Sequence, residues 1–219
     1  MRRLTLAVLA LAALAALPIA TGSAKPPGGN HSLSLHATPN PVVFFRTVAL
    51  SGKFTGNNHA NKTVTLQKDR FPYGAFVNAG NTTTNSAGNY AITAHPPVNT
   101  RYRTKVGNTT SPIVTEKVRI RTRLRLSDST PAAGHRVRFF GRACPQHDGA
   151  TVRIQRFNHK LNKWTTKRST VLRNIPGSSC SKYSRRFRVF HDGTYRTVVV
   201  SPHGDHANGV SRRRHINAH

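Results

Sequence analysis

The sequence predicts an all-β protein, with two tandem β-sandwiches behind an N-terminal signal peptide. Three observations carry this. Residues Val118 to Leu126 read Val-Arg-Ile-Arg-Thr-Arg-Leu-Arg-Leu, and a period of two sends successive side chains to opposite faces of a strand. Short apolar runs recur at roughly ten-residue spacing between Gly, Pro and Asn turns, with no helical period after the N-terminal segment. Four segments also recur in the same order, 88–93 residues apart.

The elements follow in chain order. Residues 1–24 read as the signal peptide. Arg2 and Arg3 supply its positive start, Leu4 to Ala16 its apolar stretch, and Gly22-Ser23-Ala24 the small residues that place cleavage after Ala24. The apolar stretch is shorter than the ~20 residues a membrane span needs. The mature chain is therefore expected to be secreted, with no transmembrane segment. Residues 25–31 (Lys-Pro-Pro-Gly-Gly-Asn-His) read as a flexible leader. The first sandwich is expected over 32–117, with strands near 32–37, 47–54, 62–68, 74–79, 89–95, 100–106 and 111–117. The second is expected over 118–216, with strands near 118–126, 135–142, 150–156, 163–173, 183–190, 194–200 and 208–215.

The duplication rests on four matches. Val48-Ala-Leu-Ser-Gly-Lys53 aligns with Val137-Arg-Phe-Phe-Gly-Arg142, and Thr63-Val-Thr-Leu-Gln67 with Thr151-Val-Arg-Ile-Gln155. Asn89-Tyr-Ala-Ile-Thr93 aligns with Lys182-Tyr-Ser-Arg-Arg186, and Thr100-Arg-Tyr-Arg-Thr-Lys-Val106 with Gly193-Thr-Tyr-Arg-Thr-Val-Val199. Ser111 and Ser211 follow the last match in each copy. No Pro/Gly linker separates the copies, which predicts a stiff junction.

The chain carries 34 Lys+Arg against 6 Asp+Glu, a formal net charge of +28. Such an excess favours polyanionic partners, namely cell-wall polymers, glycans or nucleic acid met without sequence selection. The competing reading is a solvated cationic surface with no selected ligand. Residues 25–119 carry net +9 and residues 120–219 net +17, so the binding expectation belongs to the second copy. Its candidate residues are Arg119, Arg121, Arg123 and Arg125 in the alternating run, with Arg136, Arg138, Arg186 and Arg188. The last four alternate with Val137, Phe139, Phe187 and Val189. Like charges facing one another across a ladder are destabilising, and these strands offer no acidic partner. Aromatic residues are expected on the inner face only, which favours phosphate or sulfate contacts over base stacking.

No enzyme activity and no cofactor are expected. The six acids, Asp69, Glu116, Asp128, Asp148, Asp192 and Asp205, are scattered among predicted turns. His147-Asp148, His191-Asp192 and His203-Gly-Asp205-His206 lie beside glycines, where Asp and Gly serve turns for backbone reasons. The triplet His203, Asp205 and His206 is the one combination with metal-ligand chemistry to test.

Cys144 and Cys180 are the two cysteines, and an even count in an exported chain predicts one disulfide.

Ser86-Ala-Gly-Asn-Tyr90 after Asn81-Thr-Thr-Thr84, and Lys163-Trp-Thr-Thr166 after a Val-x-Ile-Gln strand, resemble motifs of tandem immunoglobulin-like domains in secreted bacterial proteins. The first is similar to the carboxypeptidase-regulatory, prealbumin-like sandwiches. The resemblance covers residues 32–216 and implies spacer, adhesive or ligand-presenting roles. In such a topology the strands beside Cys144 and Cys180 are antiparallel neighbours, which brings the cysteines within bonding reach.

Overall fold

The structure is a computed structural model that describes residues 31–219. The expected signal peptide and the expected leader up to Asn30 lie outside the described residues.

The first copy contains β1 (Ser32–Leu33), β2 (His36–Thr38), β3 (Val42–Val43), β4 (Val48–Thr55), β5 (Thr63–Arg70), β6 (Val77–Thr83), β7 (Asn89–Ala94), β8 (Thr100–Val106), β9 (Thr109–Thr110) and β10 (Val114–Glu116). One sheet gathers β1, β2 and β7 on β4; the other runs β10-β8-β5-β6, with β9 on β8. Their inner faces share one core, including Leu33, Leu50 and Tyr90 from the first sheet and Val64, Leu66 and Tyr102 from the second.

The chain continues through β11 (Val118–Arg119), β12 (Arg121–Thr122), β13 (Arg125–Leu126), β14 (Arg136–Cys144), β15 (Thr151–Asn158) and β16 (Lys163–Val171). It ends with β17 (Arg173–Asn174), β18 (Ser181–Arg188), β19 (Gly193–Val199), β20 (Gly209–Val210) and β21 (Arg214–Ile216). Here β12 and β13 pair with β14, which pairs with β18; the facing sheet places β15 between β16 and β19, with β20 and β21 on β19. Two adjoining clusters fill the space between them, one around Ile120, Val152 and Val199 and one around Leu124, Phe139, Ile154 and Ile216. The predicted disulfide forms between Cys144 and Cys180, whose Cα atoms are 4.4 Å apart.

The repeated sequence segments build the same local device twice. The Tyr90 hydroxyl donates to the Ser34 carbonyl, and its oxygen lies 2.8 Å from Thr104 Oγ1. The Tyr183 hydroxyl donates to the Arg123 carbonyl at 2.8 Å and lies 2.8 Å from Thr197 Oγ1. A Cβ on Gly52 would fall 1.9 Å from the Ser34 oxygen, and one on Gly141 1.8 Å from the Arg123 oxygen. Only glycine admits so close an approach. Arg103 and Arg196 donate through Nε to Gln67 and Gln155 at 2.8 and 2.9 Å, and each guanidinium caps an aromatic ring, Phe76 or Trp164. Ladder irregularities fall at Leu66/Gln67 and Ile154/Gln155.

The strands expected over 118–126 and 74–79 are corrected. The run 118–126 is three short segments rather than one strand: at the first break Ile120 gives its N–H to the Ala207 carbonyl, and at the second Arg123 gives its carbonyl to Tyr183. Its first segment, β11, pairs in parallel with β3, and Val118 packs in the first core. The strand expected over 74–79 lies at Val77–Thr83, because β5 carries the pairing through Asn81-Thr-Thr83. That polar, β-branched run reads as loop by composition.

Polar side chains tie the seam between the copies. Asn99 Oδ1 accepts the Val118 N–H at 2.7 Å, and Asn40 Oδ1 accepts the Lys117 N–H at 3.1 Å. Glu116 is fully buried beside them. Its Oε1 accepts the Val42 N–H at 2.8 Å, while Oε2 has no hydrogen-bond partner. Burial pushes its carboxyl up to about 7, against the smaller opposing pull of the Val42 N–H. A raised carboxyl binds a proton more tightly in the folded state, so stability falls as pH rises from the unfolded value towards 7. Glu116→Gln keeps the shape and removes that penalty. The expected gain is near zero at pH 4 and about 3 kcal/mol above pH 8. Urea denaturation at both pH values checks it, and equal gains at the two would refute the assignment.

Candidate functional site

The predicted arginines of the second copy meet on one sheet, except Arg119, which lies on β11 beside β3. The β14–β18 register sets Arg136 opposite Arg188 and Arg138 opposite Arg186, and β13 brings Arg125 opposite Phe140. Alternation sends Val137 and Phe139 into the core, both with no exposed surface, and their neighbours Arg136, Arg138 and Phe140 outward. The outer face therefore does carry an aromatic ring, which corrects the expectation of an inner-face-only set. The Arg138 guanidinium carbon sits 4.3 Å from the Phe140 ring centroid, a cation–π arrangement that holds the cation flat against the sheet. A shallow concavity of ≈ 490 Å³ forms there, lined by Arg123, Arg125, Arg138, Phe140, Arg142 and Lys182 among others.

The alternating run lies at the edge of this face and turns into a second groove of ≈ 550 Å³. Arg119, Arg121, Arg123 and Arg125 line it, joined by Arg46 from the first copy and by Arg212 and Arg214 near the C-terminal end. Arg123 and Arg125 border both concavities, so the two form one continuous cationic band. No acidic side chain lines either of them. Among the described residues, no lysine or arginine lies within 4.0 Å of a carboxylate; the pairs at that distance both join histidine to Asp205.

Sequence reasoning missed Arg46, Arg142, Lys182, Arg212 and Arg214. Arg46 follows Phe45, a positive-φ residue in a turn with no periodic pattern. Arg212 and Arg214 stand in the run Arg212-Arg-Arg214, where no alternation marks which residues face the groove.

The histidine-containing turns part company in the structure. His191 and Asp192 are exposed, and Asp192 Oδ1 accepts the Ala218 N–H at 2.6 Å. Asp148 Oδ1 accepts the Ser181 hydroxyl at 2.6 Å, and this bond, with a second from Gln146, holds its carboxyl below the usual value. His203 is exposed and stands apart from Asp205 and His206. Its expected place is taken by His147, from the turn after β14. Ligand atoms of His147, Asp205 and His206 lie within 4.8 Å of one another. Burial alone would raise the Asp205 carboxyl, but the two imidazoles more than offset that and hold it low.

No protein-family model matches the chain, and no curated protein matches it. Among solved structures, the chain is similar to trypsin-activated alpha-2-macroglobulin from Escherichia coli, at 12% identity and a TM-score of 0.32, over 85% of this chain. The match covers 15% of the macroglobulin chain, so this protein spans a small part of that one's length.

Proposed function

We propose that this is an exported, non-enzymatic β-sandwich protein that binds anionic polymers through the arginine band of its second copy. One observation carries the reading most of the way: seven arginines converge on a groove that no carboxylate lines. Placing cations together without acidic partners costs stability through self-repulsion, and phosphate or sulfate groups would relieve that cost. Export is supported by the composition of residues 1–24 and by the disulfide, a feature of oxidising compartments. Among the described residues no helix is long and apolar enough to cross a membrane. A spacer role without ligand is the second reading. It is favoured by the direct passage from one sandwich to the next.

The test is retention on heparin and on duplex DNA at graded salt. Reversing Arg121, Arg123 and Arg125 to glutamate is expected to flatten the slope of log affinity against log salt by about one unit per residue. Reversing Lys53, Lys62 and Lys105 of the first copy changes net charge equally, yet is expected to flatten it far less. Equal effects from the two triple variants would favour a diffuse cationic surface and the spacer reading.

A further inference from the structure

The cluster at the seam has the donor set of a metal centre. His206 Nε2 lies 2.8 Å from the Pro97 carbonyl oxygen. A carbonyl can only accept, so Nε2 carries a proton and Nδ1 is the ring nitrogen turned towards Asp205. His147 Nδ1 lies 3.1 Å from the Pro145 carbonyl oxygen, so here Nδ1 carries a proton and Nε2 is the nitrogen left for a ligand. These two nitrogens, His206 Nδ1 and His147 Nε2, are buried. Both aim at one carboxylate oxygen, Asp205 Oδ2, at 2.9 and 3.5 Å. Two buried imidazole nitrogens converging on one carboxylate make a compact donor set in which a metal cation can take the place of a proton.

We propose that His147 Nε2, His206 Nδ1 and the Asp205 carboxylate bind a divalent transition cation of the zinc class. The spacing fits. A tetrahedral site with bonds of about 2.0–2.1 Å has ligand atoms roughly 3.3 Å apart, and the two nitrogen–oxygen separations, 2.9 and 3.5 Å, straddle that value. The imidazole side chains are 4% and 2% exposed while the Asp205 side chain is 23% exposed, so the fourth position opens to water on the Asp205 side. The outer contacts suit the role as well. Metal-bound histidines commonly donate their remaining N–H to a backbone carbonyl, which fixes the tautomer, and Pro97 and Pro145 supply those carbonyls.

The consequence is mechanical. His147 comes from the turn after β14, and Asp205 and His206 come from the segment between β19 and β20. That second segment is held by the first copy, with Asn99 donating its N–H to the Asp205 carbonyl and its amide to the Gly204 carbonyl, each at 2.8 Å. A bound cation therefore clamps two turns of the second copy against the first.

The experiment uses the mature chain without a histidine tag, stripped by chelator and titrated with Zn²⁺ alone. Expected are uptake of one equivalent and a thermal midpoint raised by roughly 5–10 °C when free Zn²⁺ stands 100-fold above its dissociation constant. Co²⁺ in place of Zn²⁺ is expected to give the visible absorption of a four-coordinate centre, a readout that needs no variant. Asp205→Asn and His147→Ala are expected to weaken Zn²⁺ binding by ~100-fold or more, whereas His203→Ala, in the same segment but exposed, leaves it unchanged. Absence of stoichiometric uptake by the wild-type chain overturns the proposal. So does uptake that survives Asp205→Asn, since surface histidines would then be the ligands.

Discussion

Replacing Phe139 with alanine is expected to lower the stability of the protein by about 4 kcal/mol. Phe139 has no exposed surface and lies in the centre of β14. Its ring stacks on Phe187 at 4.4 Å between centroids and leans on Tyr195 at 5.1 Å. Leu124, Ile154 and Ile216 close the same cluster from both sheets, so the surroundings cannot collapse into the space left behind. Phe140→Ala, one residue on, truncates an outward ring and should cost under about 1 kcal/mol. It should instead loosen Arg138, and show itself in polyanion retention. Urea denaturation of the two variants checks the contrast; similar losses from both would mean that the face assignment of β14 is wrong.

Removing the disulfide is the second large effect. Cys144 and Cys180 are 36 residues apart in sequence, and opening a loop of that length returns chain entropy to the unfolded state worth about 4 kcal/mol. The double substitution Cys144→Ala/Cys180→Ala should lower stability by 2–4 kcal/mol. The effect should fall on the second sandwich, because the bond joins the end of β14 to the start of β18. Calorimetry of the double variant, and of the wild type with reductant, measures it. An unchanged midpoint in both would show that the loop is already ordered without the bond.

Much of this architecture was legible in the sequence, for reasons tied to particular residues. Alternation around Arg136-Val-Arg-Phe139 reads directly as a half-buried strand. The paired glycines, Gly52 and Gly141, and the paired tyrosines, Tyr90 and Tyr183, stand at matching positions of the two copies. Their role, a hydroxyl reaching a strand carbonyl past a missing Cβ, depends on contacts between strands far apart in sequence. Phe140 was available to the same alternation rule, since neighbours on a strand face opposite ways. The adjacent Phe139 drew both rings to the inner face by composition alone. Two features had no local signal. The β11–β3 pairing joins two-residue strands separated by most of the first copy. His147 reaches Asp205 only because β14 and β19 end at the same side of the seam. Period and composition act over a few residues, and neither reports contacts of that range.

The join between the sandwiches is a splice rather than a hinge. Val118 is anchored in one core and Ile120 in the other, with a single residue between them, and strand geometry turns that residue, Arg119, the opposite way, into the groove. Bending the protein at this point would have to pull an apolar side chain out of a core or break the bond from the Ala207 N–H to the Val118 carbonyl. Arg46 on one side and Arg121 on the other thus keep a fixed spacing, as notches cut in a single rod rather than in two jointed pieces. Whatever long ligand lies along that row meets a ruler, not a flexible grip.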